Sequence, residues 1–210
     1  MKNKAVPALA LLVVVGFTLL MANLTLPYFS FKTDVDFLLT KQAVLHKTIW
    51  RWAFYWHISV SALVLLIGGF QFVQYIIDHF PKNHRLLGKI YVFSLLIICA
   101  PSGLIMAFYA NGGIWAKISF VFVSIFWWCF TYKAFIEIRK RNIESHKAFM
   151  TRSYALTLSA ITLRLYVFAL PFIINWHGRE MYILVAWMSW IPNLIVAELI
   201  IWSKKNWARA

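Results

Sequence analysis

The sequence predicts an all-α fold, a polytopic membrane bundle of about six transmembrane helices, and three observations carry that expectation. Of the 210 residues, 62% are hydrophobic and only 13% are charged, whereas soluble domains are roughly half apolar and a quarter charged. Mean hydropathy is +0.71. Apolar stretches at about residues 5–22, 52–77, 90–109, 115–136, 149–174 and 181–202 each reach the roughly 20 residues that cross about 30 Å of hydrocarbon. Basic residues are unevenly shared between the two sides these spans define. Lys2, Lys4, Lys82, Arg85, Lys89, Lys133, Arg139, Lys140, Arg141, Lys147, Arg152, Lys204, Lys205 and Arg209 fall on one side. Lys32, Lys41, Lys47, Arg51, Lys117 and Arg179 fall on the other. A positive-inside bias of this sign places both termini in the cytoplasm and the chain in the inner (cytoplasmic) membrane as a multi-pass protein. Residues 1–210 read as a single integral membrane domain.

The first span follows Lys2 and Lys4. It is long for a signal-peptide core, and no small-x-small site follows it, so it is expected to stay as an uncleaved span. Residues 23–49, polar and aromatic, with Thr33-Asp34-Val35-Asp36 and His46, form the longest non-helical segment and lie outside. Residues 78–88 make the first cytoplasmic turn, punctuated by Pro81 and Asn83. Asn111-Gly112-Gly113 is a tight outer turn. The charged segment from Glu137 to His146 prolongs the fourth helix beyond the membrane. Trp50, Trp52, Tyr55, Trp56, Trp176, Tyr182, Trp202 and Trp207 gather near the expected interfaces, where amphipathic rings anchor helices. Cys99 and Cys129 fall within spans, too deep for a disulfide framework. The formal net charge of +14 implies contact with anionic lipid head groups of the bilayer rather than with nucleic acid.

Two basic, histidine-bearing helix entrances are the segments that point toward chemistry: His84-Arg85-Leu-Leu-Gly88-Lys89-Ile-Tyr91, and His146-Lys147-Ala-Phe-Met150-Thr-Arg152-Ser153-Tyr154. The positive ends of the helix dipoles and the adjacent Arg85, Lys89, Lys147 and Arg152 disfavour further positive charge on either imidazole. Neutral imidazole is the ligand form, and both histidines begin parallel spans at one depth. His84 and His146 are therefore candidates to bind haem iron or another metal, with Arg85 and Arg152 on the anionic groups of the cofactor. The plainer reading leaves each histidine in the head-group zone, bonded to water or phosphate.

Helical spacing adds an interior set. His146 and Arg164 stand five turns apart on one face at about 3.6 residues per turn, with Met150, Ser153, Thr157 and Ala160 between them. The second span repeats the pattern with His57, Ser61, Gly68, Gln71 and Tyr75. Such stripes are expected to face the bundle, because a guanidinium within a span costs a few kcal/mol. His57, Gln71, Arg164 and Glu198 are the candidate interior polar residues, and Glu198 lies at the depth of Arg152, placed to pair with it. His46, His79 and His177 fall in loops and read as solvated. The sequence lacks Cys-x-x-Cys-His, His-Glu-x-x-His, Gly-x-Ser-x-Gly and a phosphate-cradling glycine loop.

Several of these residues carry a resemblance. His84-Arg-x-x-Gly-x-x-Tyr91, the pairs Ser102-Gly103 and Gly112-Gly113, and His146-x-x-x-Met-x-Arg-Ser-Tyr-Ala-Leu-Thr157 running on to Arg164 are part of it. Trp190-x-Pro-Asn-Leu194 with Glu198 completes it. Over about residues 50–202 the chain closely resembles a bacterial family catalogued as predicted membrane proteins, a domain of unknown function. That resemblance implies a helical bundle and no particular activity. In general design the chain is more loosely similar to b-type transmembrane cytochromes, whose inward histidines sandwich haem between helices. It departs from the two-haem members, since the fourth span has no His and His57 has no matching partner, so one haem b is the most that likeness implies.

Three function classes follow: a single-haem redox protein serving a quinol or another donor, a carrier of protons or small solutes through the polar interior, and a non-catalytic scaffold or accessory subunit for a partner membrane protein.

Overall fold

A computed structural model describes residues 5–207, helical almost throughout and without a strand among them. Lys2, Lys4 and Arg209, which carry part of the charge asymmetry, lie outside the described residues. Six helical runs are long and apolar enough to cross a membrane: Leu11–Ser30, Thr48–Phe70, Pro81–Phe108, Ile114–Arg139, Ile143–Phe172 and Gly178–Lys204. The chain forms two compact units, residues 1–106 and 107–210.

In the first unit, α1 (Ala5–Thr25) packs on α3 (Thr48–Phe70), which in turn packs on α5 (Pro81–Ser94). The segment between α1 and α3, expected to be non-helical, is ordered as a 3-10 turn (Leu26–Ser30) and the short α2 (Asp36–Leu39). Rings hold it down: Tyr28 meets Phe54 edge-on at 5.2 Å, and Phe37 and Trp50 stack on the same ring at 6.0 and 5.4 Å. Lys41, counted from the sequence as an outer-loop charge, is buried here with its Nζ 5.3 Å from the Phe37 centroid. Its apolar stem and a ring face let a cation lie under the cap.

The first turn differs from expectation. The second apolar stretch breaks after Phe70 and resumes as α4 (Gln74–His79), and residues 81–88 are already helical as the start of α5. Pro81 occupies the first helical turn, where its missing N–H costs nothing and its fixed φ suits the helix. The same break re-aims Tyr75, which is exposed and stacks on His79 at 4.3 Å instead of continuing the stripe of α3.

The third span is not a uniform α-helix. Leu95–Cys99 forms a π turn between α5 and α6 (Ala100–Phe108), with the Ala100 amide donating to the Leu95 carbonyl. Pro101 follows, unable to donate to the carbonyl four residues back and sterically opposed to it, and a wider turn relieves both problems. Ser102 returns its hydroxyl to the Ile98 carbonyl at 2.6 Å, the kind of side-chain repair that makes a proline tolerable in lipid.

The second unit opens on a turn in which Gly112 and Gly113 have φ of 82° and 79°, a region glycine adopts without strain. A Cβ on Gly112 would come within 2.7 Å of the Tyr182 ring. From there α7 (Ile114–Arg139) packs on α8 (Ile143–Thr157) and on α10 (Gly178–Met188), α9 (Ser159–Ala169) packs on α10, and α11 (Ile191–Trp207) packs on α8. Small residues, Ala116, Ser119, Thr131 and Ala134, are fully buried along α7 and let the backbones approach, as membrane helix pairs require. Asn142 caps α8, its side chain accepting from the Ser145 amide at 3.1 Å.

Candidate functional site

The polar residues of the first unit collect where α3 meets the third span. His57 Nδ1 lies 3.0 Å from the Cys99 carbonyl oxygen and 3.2 Å from Ser102 Oγ. A carbonyl can only accept, so Nδ1 carries the proton. One turn along α3, the Ser61 hydroxyl bonds the His57 carbonyl and reaches the Cys99 thiol. This cluster of an imidazole, a thiol and two hydroxyls lies at the π turn. Farther along α3, Val64 and Leu65 are all but inaccessible, and so is Leu95 of the π turn that packs on this helix; the three make an apolar layer.

Beyond that layer Gln71 is buried against α5. Gly88 is the residue it meets: a Cβ there would stand 3.1 Å from Gln71 Oε1. His84, Gly88 and Tyr91 are spaced i, i+4 and i+7, one face of a helix, so the His-Arg-x-x-Gly-x-x-Tyr segment presents that face to Gln71. His84 is half-buried and Tyr91 fully buried, while Arg85 is exposed.

In the second unit the His146 segment runs antiparallel to α7. Trp127 Nε1 donates to Thr157 Oγ1 at 3.0 Å, Thr131 Oγ1 lies 2.6 Å from Ser153 Oγ, and His146 Nδ1 donates to the Ala134 carbonyl at 2.8 Å. Arg152, one position off that face, turns to α11 and grips Glu198 with two prongs, Nε to Oε1 at 2.5 Å and Nη2 to Oε2 at 2.7 Å. The guanidinium is thereby committed to a carboxylate. Arg152 and Lys133 also lie over the Phe149 ring, at 5.2 and 5.5 Å.

The Trp190-x-Pro-Asn-Leu segment joins the helices from the other side. Pro192 enters just after α10 ends, where the chain turns through Ser189 and Trp190. Trp190 Nε1 donates to Ser119 Oγ at 2.9 Å, which donates in turn to the Ala186 carbonyl at 2.9 Å. Asn193 Nδ2 reaches the Ala155 carbonyl at 3.2 Å and Thr162 Oγ1 at 3.1 Å. In the second unit, therefore, these segments spend most of their polar side chains on helix-to-helix bonds.

Arg164 departs from its expected interior position. It is exposed, with Nη1 donating to the Ala160 carbonyl at 2.9 Å. The stripe from His146 holds through Met150, Ser153 and Thr157, all buried. It then loses phase at Leu158, where α8 gives way to α9 and the Ile161 amide bonds a carbonyl only three residues back. Tightening of that kind advances the following residues around the axis. His46, His79 and His177 are exposed.

His84 and Arg85 belong to the first unit, and His146 and Arg152 to the second. Among the described residues no three His, Cys, Asp or Glu side chains gather where they could hold a metal ion. Donation from His146 Nδ1 to the Ala134 carbonyl leaves Nε2 with the lone pair of the neutral ring. Sequence reasoning put Ser61 on the face of His57 but joined neither Cys99 and Ser102 to that face nor Ser119 to Trp190. Pro101 inside an apolar run was the available signal for the first group.

A family model described as "Predicted membrane protein (DUF2306)" matches residues 54–201. No curated protein and no solved structure is similar enough to match the chain.

Proposed function

The chain belongs to that family of membrane proteins, and we propose that within the bilayer it conducts protons along the polar face that α3 turns toward the third span. One observation carries the proposal: His57 is held by the Cys99 carbonyl at a π turn, beside two hydroxyls and a thiol. Imidazole exchanges protons near neutral pH, and hydroxyls relay them. Ionisable residues within spans mark proton paths more often than ordinary packing positions, and π turns recur at functional sites. Gln71 continues the path beyond the layer of Val64, Leu65 and Leu95, which keeps it closed at rest. Opening requires that layer to part, and the π turn at Leu95–Cys99 is the local weakness that permits it. By the distribution of Lys and Arg, the α4 end faces the cytoplasm and both termini lie there. Acidification of vesicles containing the purified protein, compared with empty vesicles under the same potential, tests the proposal. Equal rates would end it.

A second reading, a redox protein with one haem b, is favoured by the single observation of His146, whose tautomer leaves Nε2 as the ligating nitrogen. Bound haem would supply one-electron transfer, and His146 would hold its iron. Arg152 is less suited to the propionates, because Glu198 already occupies its two nitrogens. A reduced-minus-oxidised absorbance spectrum of protein expressed with ample haem decides this reading, and a colourless protein would exclude it.

A further inference from the structure

Glu198 is gripped by Arg152 on one edge and open on the other. Arg152 gives each carboxylate oxygen one hydrogen bond, at 2.5 and 2.7 Å, whereas a carboxylate offers about four acceptor positions. The two partners are unequally covered. The Glu198 side chain keeps 54% of its surface and that of Arg152 only 19%, with the guanidinium carbon 5.2 Å from the Phe149 ring centroid. The pair therefore turns a negative edge outward. That edge lies within the last span, Gly178–Lys204, about 9 Å along the axis from Lys204 at 1.5 Å per residue. Lipid tails donate no hydrogen bonds there, and an ionised group without compensation is costly.

An open groove of about 550 Å³ leads to Glu198, and the rest of its lining is apolar, Ile191, Ile195, Leu199 and Trp202 of α11 among it. Ile191, Ile195 and Leu199 recur every four residues on one helix face. The groove runs from the carboxylate toward the middle of the membrane, about 16 Å from Trp202 to Ile191. We propose that it binds one phosphatidylethanolamine molecule, whose ammonium donates to the open edge of Glu198 and one of whose acyl chains lies along Ile195 and Ile191. Charge complementarity selects this occupant. An anionic head group would meet the carboxylate as a like charge, while the guanidinium that could attract it is covered. A choline head group has the right charge and no N–H to donate. Water can fill the acceptor positions but brings no charge to offset. An ammonium does both, through charge-assisted hydrogen bonds. The site lies wholly within the second unit and owes nothing to the proton path along α3.

The experiment is native mass spectrometry of the full chain released from detergent micelles and titrated with phosphatidylethanolamine, phosphatidylcholine or phosphatidylglycerol of identical acyl chains. The first bound lipid is read. Wild-type protein is expected to take phosphatidylethanolamine about tenfold more tightly than either of the other two, the order expected of a charge-assisted hydrogen bond. Glu198→Gln keeps an acceptor but removes the charge and releases Arg152, so the preference should shift to phosphatidylglycerol. Ile195→Trp leaves the ion pair intact and fills the groove at an exposed position, so the preference should vanish. Equal first-site binding of phosphatidylethanolamine and phosphatidylcholine by the wild-type protein, or tighter binding of phosphatidylglycerol, would overturn the proposal whether or not either variant folds. A preference for phosphatidylethanolamine that survives in Glu198→Gln or in Ile195→Trp would overturn it as well.

Discussion

His57 Nδ1 and the Cys99 carbonyl oxygen, 42 residues apart in the chain, stand 3.0 Å from each other, so a proton-bearing ring on α3 is fastened to the turn that Pro101 distorts. Loss of that bond should be measurable. His57→Phe is expected to destabilise the protein by about 0.5–1.5 kcal/mol, the usual worth of one interhelical hydrogen bond. His57→Gln, which keeps a donor, should cost less. Thermal unfolding in detergent checks the order, and an equal loss for both variants would show that the bond contributes little.

Arg152 and Glu198 should behave as a coupled pair. Arg152→Ala removes two charge-assisted hydrogen bonds and is expected to cost about 1.5–3 kcal/mol. In a double-mutant cycle, Arg152→Ala with Glu198→Ala should cost less than the sum of the single changes. Arg164→Ala, at an exposed position, should cost less than Arg152→Ala. Additive losses for the pair would contradict the two-pronged geometry.

Ser119 serves Trp190 as an acceptor and the Ala186 carbonyl as a donor. Ser119→Ala leaves the buried indole N–H without that acceptor, and a loss of about 1–3 kcal/mol is expected. Adding Trp190→Phe should recover part of it by removing the stranded donor. Unfolding midpoints of the two variants decide the matter: no recovery in the double variant would mean that the indole had found another acceptor.

The side of the membrane is testable at the α7–α8 turn. Lys140 is an exposed position there, and unlike Asn142 it does not cap α8. A cysteine in Lys140→Cys should escape an impermeant thiol reagent in intact cells and react after lysis. Labelling of intact cells would reverse the orientation taken from the basic residues.

The fold class and the six spans were legible because apolar length is nearly all a bilayer demands of a helix. Phase was legible only as far as each helix stayed regular. From His146 the face at Met150, Ser153 and Thr157 follows 3.6-residue spacing and is buried, but the tightened turn at Leu158 carries Arg164 out of register. Tyr75 left its stripe for the same reason, at the break after Phe70. The helical start at Pro81 was hidden by the low hydropathy of residues 81–89, which helix geometry tolerates and a search for apolar runs does not. Bonds such as His57 to Cys99 join distant residues through backbone atoms, and no side-chain pattern announces them.

Proton entry into vesicles decides whether His57 and its neighbours conduct. The purified protein is reconstituted with a pH-sensitive dye in the lumen, and a potassium gradient with valinomycin supplies an inward driving force. Wild-type vesicles are expected to acidify faster than empty ones, His57→Ala to fall to near the empty rate, and Arg164→Ala to retain the wild-type rate. Wild-type vesicles no more permeable than lipid alone, or a His57→Ala variant as active as the wild type, would contradict the proton path.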